Sequence, residues 1–496
     1  FRFQNLISEE KDIRIDARNH YLRANYYDLR RLMPRVLGTS LPDLLKDFNT
    51  MTLQGNTVLN GDELTTTSVF NSGIGNADLD VTIGNFNDVD NAFYDGKIKL
   101  EKLNLGTLAK TSSLGTITAN VEVNGRGFSQ NTLNTRVSGT ISAITFEEYT
   151  YKNITLSGTL RNPVFNGSLS IDDPNVKLSF DGLVDVSKEF NQYDFEADVE
   201  YAELNKLNLF TRDSVSVFAG RVIMDMDGTT INDASGTIEF VQTFYQNEKE
   251  DYYFDDFLVI SSFEGPERTI EIISPDIIDG KITGQFLIED IPNLFRNGIG
   301  SIYANYIPNE VTVDQYLNYE FEVYNKIVEV FVPQLQLGEN TRVQGSVASD
   351  ESEFIMNFKS PEITVYDNYL EKVNIQVDND NPLYNAYISI DSIDAGFYGA
   401  KDFNVINKTL NDTLYVRSEF RGGTEGDDIF NLSLYHTINP AGKSVVGVRK
   451  SDVTFKENVW YINEENNDLN KVVFDDNFSN VRIDSLVISH MNESIQ

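Results

Sequence analysis

The sequence predicts an all-β protein in which antiparallel strands follow one another by hairpins and repeat along the chain. Three observations predict it. Apolar residues alternate strictly with polar ones, as in Ile117, Ala119, Val121 and Val123 against Thr118, Asn120 and Glu122. A period of two puts the apolar side chains on one face of a strand. Asn-Gly and Asp-Gly pairs, favoured in tight hairpin turns, recur at Asn124-Gly125, Asn166-Gly167, Asp181-Gly182 and Asp279-Gly280. A glycine followed by Thr, Ser or Lys and then Ile, Leu or Val recurs at Gly96, Gly115, Gly139, Gly158, Gly167, Gly236, Gly280 and Gly345. Small residues at such places suggest that the sheet bends there or that something packs close.

Taken in order, residues 1–50 stand apart. Tyr27 to Leu37 has helical spacing of apolar residues, and Leu41 to Phe48 reads as a second short helix with Ser40 as its N-cap and Pro42 at its first position. From about residue 51 the period is two. Val137 to Ala143, Ile154 to Leu160, Phe165 to Ile171, Val176 to Phe180 and Phe195 to Tyr201 alternate in turn. Ile282 to Ile288, Phe354 to Phe358, Val373 to Val377 and Phe430 to Leu434 continue the pattern. Three strands run into short helical or turn segments: Asp95-Gly96-Lys97-Ile98 into Leu103, Leu105 and Leu108, Phe195–Tyr201 into Leu204, Leu207, Leu209 and Phe210, and Asp279-Gly280-Lys281-Ile282 into Ile288, Ile291, Leu294 and Phe295. With Leu29–Leu37 these segments begin about 75 to 100 residues apart, as in a linear array of roughly five units. The organisation expected is strand plus short helices over 1–50, groove repeats over 51–290, further repeats over 291–436 after a short helical segment, and a more irregular β region over 437–496. Some 30 to 40 strands stacked at about 4.8 Å would extend on the order of 150 to 190 Å.

Composition narrows the function. The chain has 496 residues, with 40 Lys and Arg against 76 Asp and Glu, a net charge of −36. Such a surface repels phosphate backbones and anionic head groups, so nucleic acid is not an expected partner. There is no cysteine, hence no disulfide, thiolate catalysis or Cys-ligated metal. No run of about 18 apolar residues offers a membrane-spanning helix. Phe1 is not an initiator methionine and no signal peptide follows it, so the chain reads as mature or as a segment of something longer.

Chemistry-bearing motifs are scarce. His20, His436 and His490 are isolated in sequence and read as ordinary surface or core residues. Gly125-Arg126-Gly127 lacks a third glycine, and Gly422-Gly423 lies in a polar stretch. Asn87-Asp88-Val89-Asp90 and Asp378-Asn379-Asp380-Asn381 offer oxygen ligands but lack helix–loop–helix calcium spacing, and solvated turns are the simpler reading. The chain is therefore expected to have no cofactor, no metal and no catalytic residue, and is not read as an enzyme. The apolar face remains. It is either the buried face of a sandwich or closed solenoid, or the lining of an open trough. An acidic, Asn-rich polar face and the absence of sandwich closure signals favour the trough.

Several segments resemble the TamB family of bacterial envelope proteins, part of the wider AsmA-like group, in its Bacteroidota form. They are Tyr27-Asp28-Leu29-Arg30-Arg31-Leu32-Met33-Pro34, Tyr94-Asp95-Gly96-Lys97-Ile98 with Leu103-Asn104-Leu105-Gly106, and Gly115-Thr116-Ile117 with Asn120 to Gly125. Most specific is Tyr151-Lys152-Asn153-Ile154 leading to Gly158-Thr159-Leu160, then Phe165-Asn166-Gly167-Ser168-Leu169-Ser170-Ile171-Asp172-Asp173-Pro174-Asn175. The resemblance implies an elongated repeating β-groove, a curled antiparallel sheet with a few short helices between units. It implies a periplasmic bridge conducting phospholipids between inner and outer membrane along that groove. The expected partners are phospholipid acyl chains, an outer-membrane barrel of the BamA/TamA type (TamL-like in this phylum), and an inner-membrane anchor supplied by a segment absent from this chain. The groove-lining residues expected are Ile117, Val121, Val137, Ile141, Ile154, Leu156, Leu169, Ile171, Leu178, Phe180, Phe195, Val199, Phe286, Ile288, Phe354 and Phe358. Two other readings stay open: an assembly factor acting on outer-membrane or secreted proteins through its sheet edges, and a cell-surface β-solenoid adhesin.

Overall fold

The computed structural model describes every residue except 5–12, 33–45, 86, 87, 89, 130, 162, 188, 189, 304, 305, 351, 352, 424, 425, 476, 477, 492 and 496. The described residues form 34 strands and a few short helices. The fold is all-β. The chain divides into two compact units: residues 1–229 with 236–253, and residues 230–235 with 254–496.

Unit 1 holds β1 (Arg2–Gln4), β2 (Arg14–Asn25), β3 (Thr50–Asn60), β4 (Glu63–Ser72), β5 (Gly75–Gly84), β6 (Phe93–Asn104) and β7 (Leu114–Arg126). It continues through β8 (Asn134–Phe146), β9 (Tyr149–Arg161), β10 (Val164–Asp173), β11 (Val176–Ser187), β12 (Phe190–Glu203), β13 (Val217–Asp227), most of β14 (Ser235–Gln246) and nearly all of β15 (Asp251–Phe254). From β1 to β13 each strand pairs antiparallel with the next. Helix α1 (Tyr26–Leu32) follows β2, and α2 (Leu105–Ala109) follows β6, where Asn104 Oδ1 accepts from Thr107 N at 2.9 Å as an N-cap. The helix expected over Leu41–Phe48, with Ser40 and Pro42, lies mostly outside the described residues; Phe48 is in a turn.

The four Asn-Gly and Asp-Gly pairs named above are not turns. Gly125, Gly167, Gly182 and Gly280 lie inside strands. Gly182 shows why glycine is required: at φ +145° a Cβ would stand 2.3 Å from Asp194 O and 2.5 Å from Phe195 Cα on the next strand. The sheet folds too sharply there for any side chain. Several actual hairpin turns use other residues in left-handed conformation: Glu147-Glu148 between β8 and β9, and Asn411-Asp412 further on.

Unit 2 holds β16 (Phe257–Glu264), β17 (Glu267–Ile273), β18 (Ile278–Gln285), β19 (Tyr316–Val323), β20 (Leu335–Leu337), β21 (Thr341–Ala348), β22 (Phe354–Val365), β23 (Asn368–Asp378), β24 (Ala386–Asp394), β25 (Gly399–Leu410), β26 (Thr413–Gly422) and β27 (Asp428–Ile438). These pair antiparallel in sequence order, except that β20 lies beside β22 and β19 pairs with β21. Shorter strands run on from Ser444–Val448 to Glu493–Ile495, including Asn458–Ile462 around Trp460. Between β18 and β19 a 3₁₀ turn (Ile288–Asp290) leads into α3 (Ile291–Ser301); α4 (Asn325–Phe331) follows β19.

Candidate functional site: an apolar sheet face

In an antiparallel sheet, residues directly opposite share a face. The pairing register of unit 1 therefore sorts the expected lining residues into rows. One row runs Leu53, Phe70, Ala77, Leu100, Ala119, Ile141, Ile154, Ile171, Leu178, Val199 from β3 to β12. The next runs Leu79, Ile98, Val121, Gly139, Leu156, Leu169, Phe180, Ala197. A third runs Val81, Gly96, Val123, Val137, Gly158, Gly167, Gly182, Phe195, Met224, and a fourth Ile83, Tyr94, Gly125, Thr135, Leu160, Phe165, Val184, Tyr193, Met226. No member of these rows carries a charge. Twelve expected residues, Ile117, Val121, Val137, Ile141, Ile154, Leu156, Leu169, Ile171, Leu178, Phe180, Phe195 and Val199, lie on this single face, Ile117 across from Leu103 and Ile144.

The glycines concentrate in the two middle rows, where Gly158, Gly167 and Gly182 stand directly opposite one another. At Gly139, Gly167 and Gly182 a Cβ would stand 2.3 Å from a backbone oxygen of the neighbouring strand, so the strands approach too closely there for a side chain. Phe180 packs on Phe195 at 5.0 Å between ring centroids and near Phe165 at 6.3 Å. Yet the face is not closed over. Of the twelve residues only Ile117 and Ile154 are buried; the others are partly exposed. Some cover exists at one flank, where Leu204 and fully buried Leu207 pack with Ile171, Leu178 and Val199. At the first strands the face deepens into a cavity of about 530 Å³ lined by Phe3, Ile15, Leu22, Leu53, Leu79 and Val81, among others.

Polar groups on this face are tied up. His20 is 3% exposed, with Nε2 at 2.7 Å from Thr57 Oγ1 and Nδ1 at 3.3 Å from Leu53 O. Thr57, Thr66 and Ser68 continue the chain of hydroxyl contacts at 2.8 and 2.9 Å. The opposite face carries the charge: Lys97 pairs with Glu122, Lys99 with Asp78, and Arg221 with Glu196 and Asp198. The Asp173-Pro174-Asn175 motif is a corner brace. Buried Asp173 accepts from Asn175 N and Lys152 N at 2.9 Å and from the Tyr149 hydroxyl. Burial, and then the bond to Asp173, push the Tyr149 phenol up to about 12.

Unit 2 has equivalent rows, but the expected lining residues there meet a different fate. Gly284, Leu317, Val347 and Phe354 form one row; Gly280, Phe321, Val343, Phe358 and Ile375 form another. Helix α3 lies on the first of these. Leu294 of α3, Leu317 and Phe354 are all 0% exposed, in one cluster with Phe286, Tyr319 and Val347, and Ile288 packs against it. Phe286, Ile288 and Phe354 thus do not face an open groove, because α3 fills the space above them. Ile288 is in a 3₁₀ turn rather than at the end of an alternating strand. Phe358 is partly exposed.

Sequence reasoning missed Arg268. It occupies the same row as Gly284, 3% exposed, and its guanidinium donates to Ser261 Oγ and to the carbonyls of Ile231 and Ala234 at 2.9–3.0 Å. Burial lowers its pKa from the usual arginine value. The signal was present: Arg268 alternates with Ile270 and Ile272, an inward position for a charge.

No helix among the described residues is long and apolar enough to cross a membrane. No group of three His, Asp or Glu side chains among them could hold a metal ion. No family model, curated protein or solved structure matches the chain.

Proposed function

We propose that the open face of unit 1 carries lipid acyl chains. On this reading the chain is a TamB-like bridge in the periplasm of a Gram-negative (Bacteroidota) bacterium, conducting phospholipids between the two membranes. An outer-membrane BamA/TamA-type barrel would receive them, and an inner-membrane anchor would lie outside these residues. The observation that carries the reading is the set of four uncharged rows, in register and partly exposed, over strands β5–β12. At about 4.8 Å per strand they provide roughly 35 Å of continuous apolar surface. Each acyl CH₂ moved from water onto such a surface gains about 0.8 kcal/mol. A charged head group would stay at the rim in water, and no bond need be made or broken, so the reading asks for no catalytic residue.

Photocrosslinking amino acids placed on the two faces of the same strands test it. Leu156, Leu169 and Phe180 point to the apolar face, Thr155, Ser168 and Ser179 to the other. In envelope preparations the first set is expected to capture phospholipid and the second set not. Equal capture by both sets, or none, would overturn the reading. Capture of nascent polypeptide at strand edges would favour the assembly-factor alternative instead.

A further inference from the structure

We propose that α3 is a displaceable plug over a second acyl-chain site in unit 2, which opens when the helix lifts from the sheet. The inference rests on the reading of the unit 1 face as an acyl-chain path. Beneath α3 lie the same elements that make up that path: an apolar row (Leu317, Val347, Phe354) following a glycine at a sharp fold, Gly284, where a Cβ would stand 2.2 Å from Tyr316 O. What differs is the occupant, the apolar side of a helix instead of open space.

Three features suit α3 to leave. First, its buried polar side chain does not depend on the sheet. Asn297 is 2% exposed, but its Oδ1 accepts from Asn309 N at 2.8 Å and from the Tyr306 hydroxyl at 3.0 Å, while its Nδ2 donates to Asn309 O at 2.9 Å. If α3 lifts together with these two residues, no buried amide loses its partners. What α3 presents to the sheet is apolar: Leu294, Phe295 and the bare backbone of Gly298, where a Cβ would stand 2.3 Å from the Phe354 ring. An acyl chain can cover the same surface.

Second, the two ends of the excursion are tied to each other, as a hinge requires. Asp290 accepts from Thr312 N at 3.0 Å and from Gln315 Nε2 at 2.7 Å, and Gln315 Oε1 accepts from Leu287 N at 2.6 Å. Third, the far end of α3 is held by a small latch. Asn379 Nδ2 donates to Ser301 Oγ at 3.2 Å, Thr409 Oγ1 donates to Ile302 O at 2.7 Å, and Tyr303 stands against the His436 ring at 5.6 Å. With Gly298 and Gly300 in eleven residues, α3 has little helical tendency of its own. Packing holds it.

The chain has no cysteine, so an engineered pair is unambiguous. Ser301→Cys with Asn379→Cys ties α3 to the residue that follows β23 when oxidised and frees it when reduced. A small diazirine photocrosslinker at Val347 reads the covered site, and one at Leu169 reads the open face of unit 1, with phosphatidylethanolamine vesicles as the lipid source. Oxidation is expected to lower capture at 347 about tenfold or more, with recovery on reduction and no change at 169. Loosening the latch instead, by Thr409→Val with Tyr303→Ala, should raise capture at 347 several-fold. Capture at 347 that ignores both the disulfide and the loosened latch overturns the plug. Capture at 169 with none at 347 in any variant makes α3 a permanent part of the core, and also overturns it. Loss of capture at both positions would instead sink the acyl-chain reading of unit 1.

Discussion

Units 1 and 2 use one recipe and reach opposite ends. Both place apolar rows on one face of an antiparallel sheet and fold that sheet at glycines whose missing Cβ would strike the next strand. In unit 1 Leu156, Leu169, Phe180 and Phe195 remain partly exposed. In unit 2 Leu317 and Phe354 are 0% exposed under α3. The pattern of alternation therefore defines the face and not its use. One eleven-residue helix is enough to turn a lining into a core.

The sharpest break of this comparison is a matched truncation. Phe354→Ala opens a cavity in a closed cluster and is expected to cost about 3–5 kcal/mol. Phe180→Ala removes a ring that water already reaches and should cost about 1–2 kcal/mol. The sole tryptophan, Trp460, lies in unit 2, so its fluorescence in urea follows Phe354→Ala, and far-ultraviolet circular dichroism follows both. Equal costs would mean that the unit 1 face is as closed as that of unit 2. Next in size is the feature the units share. Gly182→Ala and Gly280→Ala each force a Cβ against backbone at φ +145° and should each lose roughly 2–4 kcal/mol. A harmless Gly280→Ala would show that the folds of the two sheets have different origins.

The strands and their inward faces were legible because a period of two survives every detail of packing: Val121, Leu156, Leu169 and Phe180 fall in consecutive pairing positions, interrupted only by Gly139. The turns were less so. Asp181-Gly182 has the composition of a tight turn, but its aspartate faces outward from a strand while its glycine sits at the fold of the sheet. Glu147-Glu148 makes a real turn from residues with no such preference. Ile288, Ile291, Leu294 and Phe295 were readable as a helical segment. That this segment lies on the face could not be read, because the helical period and the strand period each report an apolar side without naming its partner. Arg268 was readable only as an exception to alternation, since its acceptors are the carbonyls of Ile231 and Ala234, far away in sequence.

The smallest effect concerns how each unit buries a tyrosine. In unit 2 Tyr319 is 5% exposed, its hydroxyl donates to Ile355 O at 3.1 Å, and burial alone raises its pKa. In unit 1 Tyr149 is braced on a carboxylate, so burial and Asp173 act together to push it from 10 up to about 12. A folded-state pKa above the unfolded one means stability that is whole below pH 10 and drains as pH rises toward 12. Tyr149→Phe removes that titration along with one donor to Asp173, which keeps Lys152 N and Asn175 N. The expected cost at pH 8 is about 1 kcal/mol. Between pH 10 and pH 12 the urea midpoint of Tyr149→Phe should fall less steeply than that of the parent chain, by circular dichroism. An unchanged slope would mean that the Asp173 brace is already open in the folded chain, and that this corner of unit 1 is held by Pro174 and the strand ladder alone.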